Sequence, residues 1–338
     1  MSRFLTLVSI ENIKMWKRIS TKVMLIFVVV IVVAATSIVR YHEYSIGTNV
    51  NVVPAVVSAA NWKVEVQQFQ KDITALKAQI IDIDNGTNNP MMRRQIGSFQ
   101  KTIAEDQYRI DNNISTDSPD SIWTRMTNFN SEANYGAIIA LMLIIACAAA
   151  IAGEFSEGTI KMAISRPYHR HEILSAKLIA SLLFGLAMLA AILISNFIMF
   201  AIYYGVHGWG AMEMLWTGSR VLYVPAALKM FAVFGLDFLQ VIFFVVLAFT
   251  LSAVTRSRSI ATGFSLFLLL VGVQIVTLLA LYFSWGRYLP FAMTNFSSFL
   301  LSGATIEKTT LGLALILTGI YTLIIGAVGY VVFAKRDI

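Results

Sequence analysis

The chain has 338 residues, of which 57% are hydrophobic and only 13% charged, with a formal net charge of +7 and a mean hydropathy of +0.70. A soluble domain carries roughly 25% charged residues, so this composition excludes an ordinary soluble globular protein. The chain is built to lie mostly in lipid.

Residues 1–22 read as an interfacial helix. "RFLTLVSIENIKMWKRIS" sets Phe4, Leu5, Val8, Ile13 and Trp16 among polar and basic residues, the composition of a helix lying along the headgroup layer. The first apolar run, 23–39, is long enough to span, since a hydrocarbon core needs about 20 residues and roughly 17 at the short end. Its basic flank is shared with signal peptides, but the run is longer than their apolar core of about 7–15 residues, so an uncleaved first span is expected.

Residues 40–134 are the segment with soluble-protein composition. Phe69, Ile73, Leu76, Ile80 and Ile83 recur at spacings of 4 and 3, and after "NGTNNP" at 85–90 the pattern returns in Met92, Ile96, Phe99 and Ile103. Heptad spacing puts each row on one helix face. Residues 61–114 are therefore expected to form a coiled-coil hairpin whose rows mostly pair with each other, either as a recognition arm or as a spacer. Residues 135–338 form the core, with five more apolar runs at 135–152, 178–204, 228–254, 261–283 and 311–333. Six spanning helices follow, and the alternation of a lipid-facing barrel is missing. The expected fold class is all-α and polytopic.

Topology follows from the basic residues. Arg3, Lys14, Lys17, Arg18 and Lys22, then Lys161, Arg166, Arg170 and Lys177, then Arg256 and Arg258, then Lys335 and Arg336 all fall on one side of a six-span chain. By the positive-inside rule that side is cytoplasmic, with both termini, and 40–134 lies outside. The charge is thus a topology signal, and no nucleic-acid partner is needed to explain it. Between the second and third spans stands the largest cytoplasmic loop, "GEFSEGTIKMAISRPYHRHEILSAK" at 153–177, a natural surface for a soluble partner.

A search for catalytic chemistry yields little. His42, His169, His171 and His207 form no paired-ligand pattern, and the lone Cys147 permits no intrachain disulfide. "GATIEKTT" at 303–310 places Glu307 where a phosphate-binding loop requires glycine. No catalytic, cofactor or metal site is expected in this chain. Asp237 stands inside the fourth apolar run with Gln240 three positions on, so the two share a helix face. A carboxylate in lipid is costly enough to mark a substrate or proton pathway, unless Arg220, Lys229 or water satisfies it near the headgroups.

The 153–177 segment resembles the one that follows the second helix of ABC-2-type transporter permeases. It carries Glu154, Gly158 and Thr159 of a Glu-x-x-x-Gly-Thr run, then Arg166, Pro167 and Arg170, then Lys177 opening the third helix. "VVFAKRDI" is similar to that family's common tail, and the order of elements is similar along nearly the whole chain, including an outer segment at 284–310 that resembles the family's re-entrant element. "SRPYHR" departs from the family in being bulkier than its small-residue turn.

The resemblance implies a non-catalytic permease subunit of an exporter in the cell membrane. Its 153–177 loop, Glu157 included, would form a coupling helix docked on a separate cytoplasmic ATPase, which binds the ATP and Mg. A second permease copy or a paralogue would complete the pathway. Two other classes fit parts of the sequence: an ion-coupled secondary transporter, for which Asp237 is the signal, and a membrane-anchored receptor or scaffold working through the coiled coil.

Overall fold

The computed structural model describes residues 3–45, 59–86, 90–115, 121–156 and 169–335. The chain is mostly helical, and among the described residues six helices are long and apolar enough to cross a membrane. They are α2 (Ile19–Ser45), α6 (Tyr135–Ser156), α7 (Arg170–Tyr204), α8 (Ala226–Thr255), the run formed by α9 (Arg258–Phe267) and α10 (Val273–Tyr282), and α12 (Leu311–Lys335). All six expected runs are found in these helical segments, the fifth ending at Tyr282, one residue short of the expected 283.

α6 and α8 form the centre, and α2 and α12 lie outermost with most of their apolar surface uncovered. The sequence explains the order. "ACAAAIAG" in α6 lets a neighbouring helix approach closely, and close approach is what drives helix packing where lipid removes the hydrophobic force. Ile139, Leu143, Ile144, Phe184, Met188, Val241 and Phe244 fill the space between α6, α7 and α8. Within the fifth run a single π turn at Leu268–Gly272 separates α9 from α10 and shifts the helical register there.

α1 (Arg3–Lys17) precedes the first span. Thr21 Oγ1 donates to the carbonyls of Met15 at 2.6 Å and Arg18 at 2.8 Å, adding a side-chain donor at the break at Arg18, where the same carbonyls accept from the Arg18 N–H at 3.2 Å and the Lys22 N–H at 3.5 Å. Leu7 and Val8 of α1 pack on Ile173 and Ala176 of α7. A neighbouring cluster joins Ile151, Leu174, Phe249, Ala253 and Phe333. α1, the end of α6, the start of α7, the α8–α9 link and the end of α12 are thereby gathered at one end of the bundle.

The opposite end carries the inserted elements. α3 (Ala59–Gly86) and α4 (Pro90–Asn112) pack against each other, with Phe69, Ile73, Ile83 and Ile96 buried and the Arg109 guanidinium 5.6 Å from the Phe69 ring centre. Leu76, Ile80, Phe99 and Ile103 are half-buried and Met92 is exposed, so the repeating rows are only partly covered; positions 87–89 of the turn lie outside the described residues.

The hairpin does more than pair with itself. α4 rests on the membrane core, where Gly97 and Gly303 meet backbone to backbone. A Cβ on Gly97 would stand 2.0 Å from the Ala304 carbonyl oxygen, and one on Gly303, whose φ is +88°, would stand 2.5 Å from that of Gly97. The Lys101 ammonium donates to the Leu301 carbonyl beside them.

Two further features depart from the sequence reading. Strands β1 (Met212–Trp216) and β2 (Val221–Pro225) form an antiparallel hairpin pairing Met212 with Pro225 and Trp216 with Val221, around a turn with Gly218 at φ +89°. The 284–310 segment is a 3-10 turn at Gly286–Tyr288, a turn around Phe291, and one short helix, α11 (Ser297–Leu301). Phe291 holds a φ of +74°, unfavourable for a side chain with a Cβ, with its ring 5.4 Å from Phe243 and 6.3 Å from Phe244.

Candidate functional site

Lys177 is the centre of the first candidate site. Placed two turns into α7, its side chain is 4% exposed and lies between two carboxylates, 2.8 Å from Glu11 Oε2 of α1 and 2.6 Å from Glu154 Oε1 of α6. Lys14, one turn beyond Glu11, donates to Glu11 Oε1 at 2.7 Å and stands 3.9 Å from Glu154 Oε1. Two cations thus alternate with two carboxylates, so the cluster carries no formal net charge. An isolated ion would not be tolerated at this depth, whereas a paired and hydrogen-bonded one is.

Burial alone would raise the Glu11 carboxyl, but the Lys177 charge and the hydrogen bonds from Lys14 and Lys177 outweigh it and hold it below its ordinary value. The space beside the cluster, bounded by Glu11, Lys14, Met15, Arg18 and Lys177, is about 10 Å³, which is no more than a single water requires. The arrangement therefore joins elements and is too tight to hold a ligand.

What it joins are α1 and both stems of the segment between α6 and α7. Glu154 lies near the end of α6, and Lys177 sits seven residues after Arg170, the first residue of α7. The entry to α7 is fixed by the His169 N–H donating to Glu172 Oε2 at 2.9 Å, an acceptor that also suits the positive end of the helix dipole. The His169 and His171 rings stack at 5.3 Å, and the hydroxyls of Ser175 and Tyr330 are 2.8 Å apart, linking α7 to α12.

Of the predicted coupling residues, Glu154 and Lys177 are in direct contact and Arg170 begins the same helix. Glu157, Gly158, Thr159, Arg166 and Pro167 lie outside the described residues. Sequence reasoning missed Glu11 and Lys14. A signal was available: Glu11 is the one acid in the first 22 residues and has Lys14 three positions on, a spacing that puts the pair on one helix face.

The second candidate site is built around Asp237, which is 1% exposed. Its donor is neither Arg220, which is exposed on the β-hairpin turn, nor Lys229, which pairs with Glu213 at 2.9 Å. Asn130 of α5 (Ile122–Ala133) supplies it, Nδ2 donating to Asp237 Oδ2 at 2.8 Å. α5 reaches this depth because its start is anchored, Ser121 Oγ donating to the Gly208 carbonyl at 2.9 Å.

Gln240 lies one turn on and is also buried. Both press on Gly136, where a Cβ would come within 2.8 Å of Gln240 Oε1 and 3.2 Å of the Asp237 Cβ. Asp237 Oδ1 and Gln240 Oε1 have no hydrogen-bond partner among the described residues. Nearby, the Tyr135 hydroxyl donates to Asn196 Oδ1 at 3.2 Å. The expectation that Asp237 and Gln240 share a face holds, and the residue that binds Asp237 is an asparagine outside the apolar runs.

Taken together, the fold and these two polar clusters define a helical protein with six candidate membrane-spanning helices. Residues 96–338 match the family described as "Protein of unknown function (DUF2705)", and the chain belongs to that family. It is 30% identical over 283 residues to the protein of Bacillus subtilis (strain 168) described as "Uncharacterized protein YhcI", a likeness covering 83% of this chain and 86% of that one. The family match takes in Glu154, Lys177 and Asp237, while Glu11 and Lys14 precede it.

Proposed function

We propose that this chain is the transmembrane permease subunit of an ABC-2-type ATP-binding cassette transporter, working as an exporter in the cell membrane. The observation that carries this reading is the Lys177 contact to both Glu11 and Glu154. It ties α1 and the two stems of the 153–177 segment into one unit, so a push delivered to the segment between them reaches α1, α6 and α7 together.

On this reading the end bearing Lys177 faces the cytoplasm and the α3–α4 hairpin, a coiled coil, faces outside, as the distribution of Lys and Arg requires. A separate ATPase binds ATP and Mg, docks on the 153–177 segment, and favours one arrangement of the spans through its own change of state. Two permease copies, or a copy and a paralogue, enclose the pathway within membrane lipid.

A second reading, an ion-coupled transporter, is favoured by the buried Asp237 with its unsatisfied Oδ1. Purification of the tagged full chain from native membranes separates the two. The proposal expects a Walker-motif ATPase to co-purify and its hydrolysis to rise when the two are reconstituted together. Ion-driven flux by the chain alone, with no ATPase attached, sinks it.

A further inference from the structure

Where α4 meets the 282–308 segment, a pocket of about 170 Å³ opens, walled in part by Leu281 and Ile306. Arg93 of α4, Arg287 of the 3-10 turn and Lys308 of the following loop line it, and Glu307 is its one acid. Glu307 lies 3.4 Å from Lys308, and among the described residues no carboxylate is within ion-pair distance of Arg93 or Arg287. Arg287 Nε is buried without a hydrogen-bond partner among them, although its guanidinium carbon lies 5.2 Å from the centre of the Tyr288 ring. Cations on separate elements around one space repel each other unless an anion sits between them.

The surroundings indicate where that anion comes from. Tyr282, Phe283, Trp285 and Tyr288 are all exposed on the same segment, and Phe283 and Trp285 stack at 5.7 Å. Exposed aromatic rings at the end of a spanning helix mark the level of the lipid headgroups. A second cavity of about 260 Å³, which shares Ile306 and is lined by Arg94, Thr294 and Asn295, adjoins the first. It offers polar room for the rest of a headgroup.

We infer that this pocket binds the phosphodiester of an anionic lipid, with Arg93 and Arg287 holding the phosphate oxygens and Lys308 closing the open side. Fork-shaped guanidinium groups match phosphate oxygens in geometry as well as charge. The lipid thereby bridges α4 and the membrane core, a role independent of any ATPase.

The test uses the full chain purified in an uncharged detergent, with dioctanoyl phosphatidylglycerol as probe, dioctanoylglycerol as the control without phosphate, and glycerol 3-phosphate as a soluble competitor. Bound lipid is read by native mass spectrometry and by the shift in Tm. The site predicts saturable binding of the phosphatidylglycerol alone, weakened about tenfold or more in R93Q/R287Q, as expected for loss of charge-assisted hydrogen bonds. K308Q, whose side chain is 77% exposed, disturbs no core and should weaken binding in the same direction.

Equal binding to the wild type and K308Q, or equal binding of dioctanoylglycerol, overturns the site. Saturation by glycerol 3-phosphate with displacement of the lipid overturns the lipid source and leaves a soluble phosphate ester as the ligand.

Discussion

Lys177 and Glu154 stand at opposite stems of the segment between α6 and α7, yet their side chains touch at 2.6 Å. The same ammonium reaches Glu11, 166 residues away in sequence, at 2.8 Å. A buried cation shared by two carboxylates has no inexpensive alternative in the apolar end of a bundle, so the three helices separate only together.

Removing that cation is therefore severe. Lys177→Met leaves two carboxylates buried with only Lys14 beside them and is expected to cost about 3–5 kcal/mol, read as a lower Tm of the purified chain. Combining it with Glu11→Gln and Glu154→Gln should recover much of the loss, because the uncompensated charge is gone. Equal Tm values for the single variant and the wild type would show that the cluster is solvated.

Acid should release α1. Glu11 is held below its ordinary value of 4.5, so its contribution is fully present above pH 4.5 and is lost as pH falls through the folded value. Trp16, edge-on to Phe184 at 5.5 Å, reports the change. The difference in emission between wild type and Trp16→Phe should shift to the red on acidification, and Glu11→Gln should reduce that pH dependence. Asp106 in the α3–α4 hairpin has the opposite sign, since burial raises it above 3.8 despite Arg109: its contribution is lost as pH rises through the folded value.

The six spans are legible in the sequence because lipid demands length and apolarity, and both are local properties. The two helices α3 and α4 are legible from their apolar rows for the same reason. What binds Asp237 is not, because Asn130 reaches it only after α5 folds back against α8, and nothing near either residue encodes that approach. Glu11 is a middle case: its chemistry is visible as a lone acid in a basic helix, but its partner lies 166 residues on. The β-hairpin hides because "MEMLW" and "VLYVP" blend into the apolar flanks, although Gly218 in the turn between them is the available signal.

The hairpin's seat on the core rests on Gly97. Gly97→Ala puts a methyl group 2.0 Å from the Ala304 carbonyl oxygen, so α4 must lift, at a cost of about 1–3 kcal/mol. Limited proteolysis should then cut within 90–115 faster than in the wild type, while the six spans stay resistant. Unchanged cleavage would mean that the two backbones do not meet.

Asn130→Leu removes the amide that donates to Asp237 Oδ2 at 2.8 Å and should destabilise the chain by about 1–3 kcal/mol. Asp237→Asn in the same background should restore stability, since no charge then needs the donor. A double-mutant cycle on Tm checks the coupling, and strictly additive effects would break the pairing.

The proposed orientation puts the basic segments gathered at the α1 end in the cytoplasm. In a Cys147→Ala background, Asn88→Cys should react with a membrane-impermeant thiol reagent in intact cells and Ser165→Cys should not. Labelling of Ser165→Cys from outside would invert the topology.

On the proposed reading the 153–177 segment receives work from an ATPase, which is read most simply as stimulation of that ATPase's hydrolysis by the reconstituted chain. Carrying Glu157→Lys together with Arg170→Glu, the chain should insert as the wild type does, because its apolar helices and the Lys177 cluster are untouched. Reversed charges at an interface cost about a few kcal/mol, so stimulation should disappear and reappear with matching reversals on the ATPase. Full stimulation by the doubly reversed chain would rule out coupling through this segment and reduce it to a basic loop that sets topology.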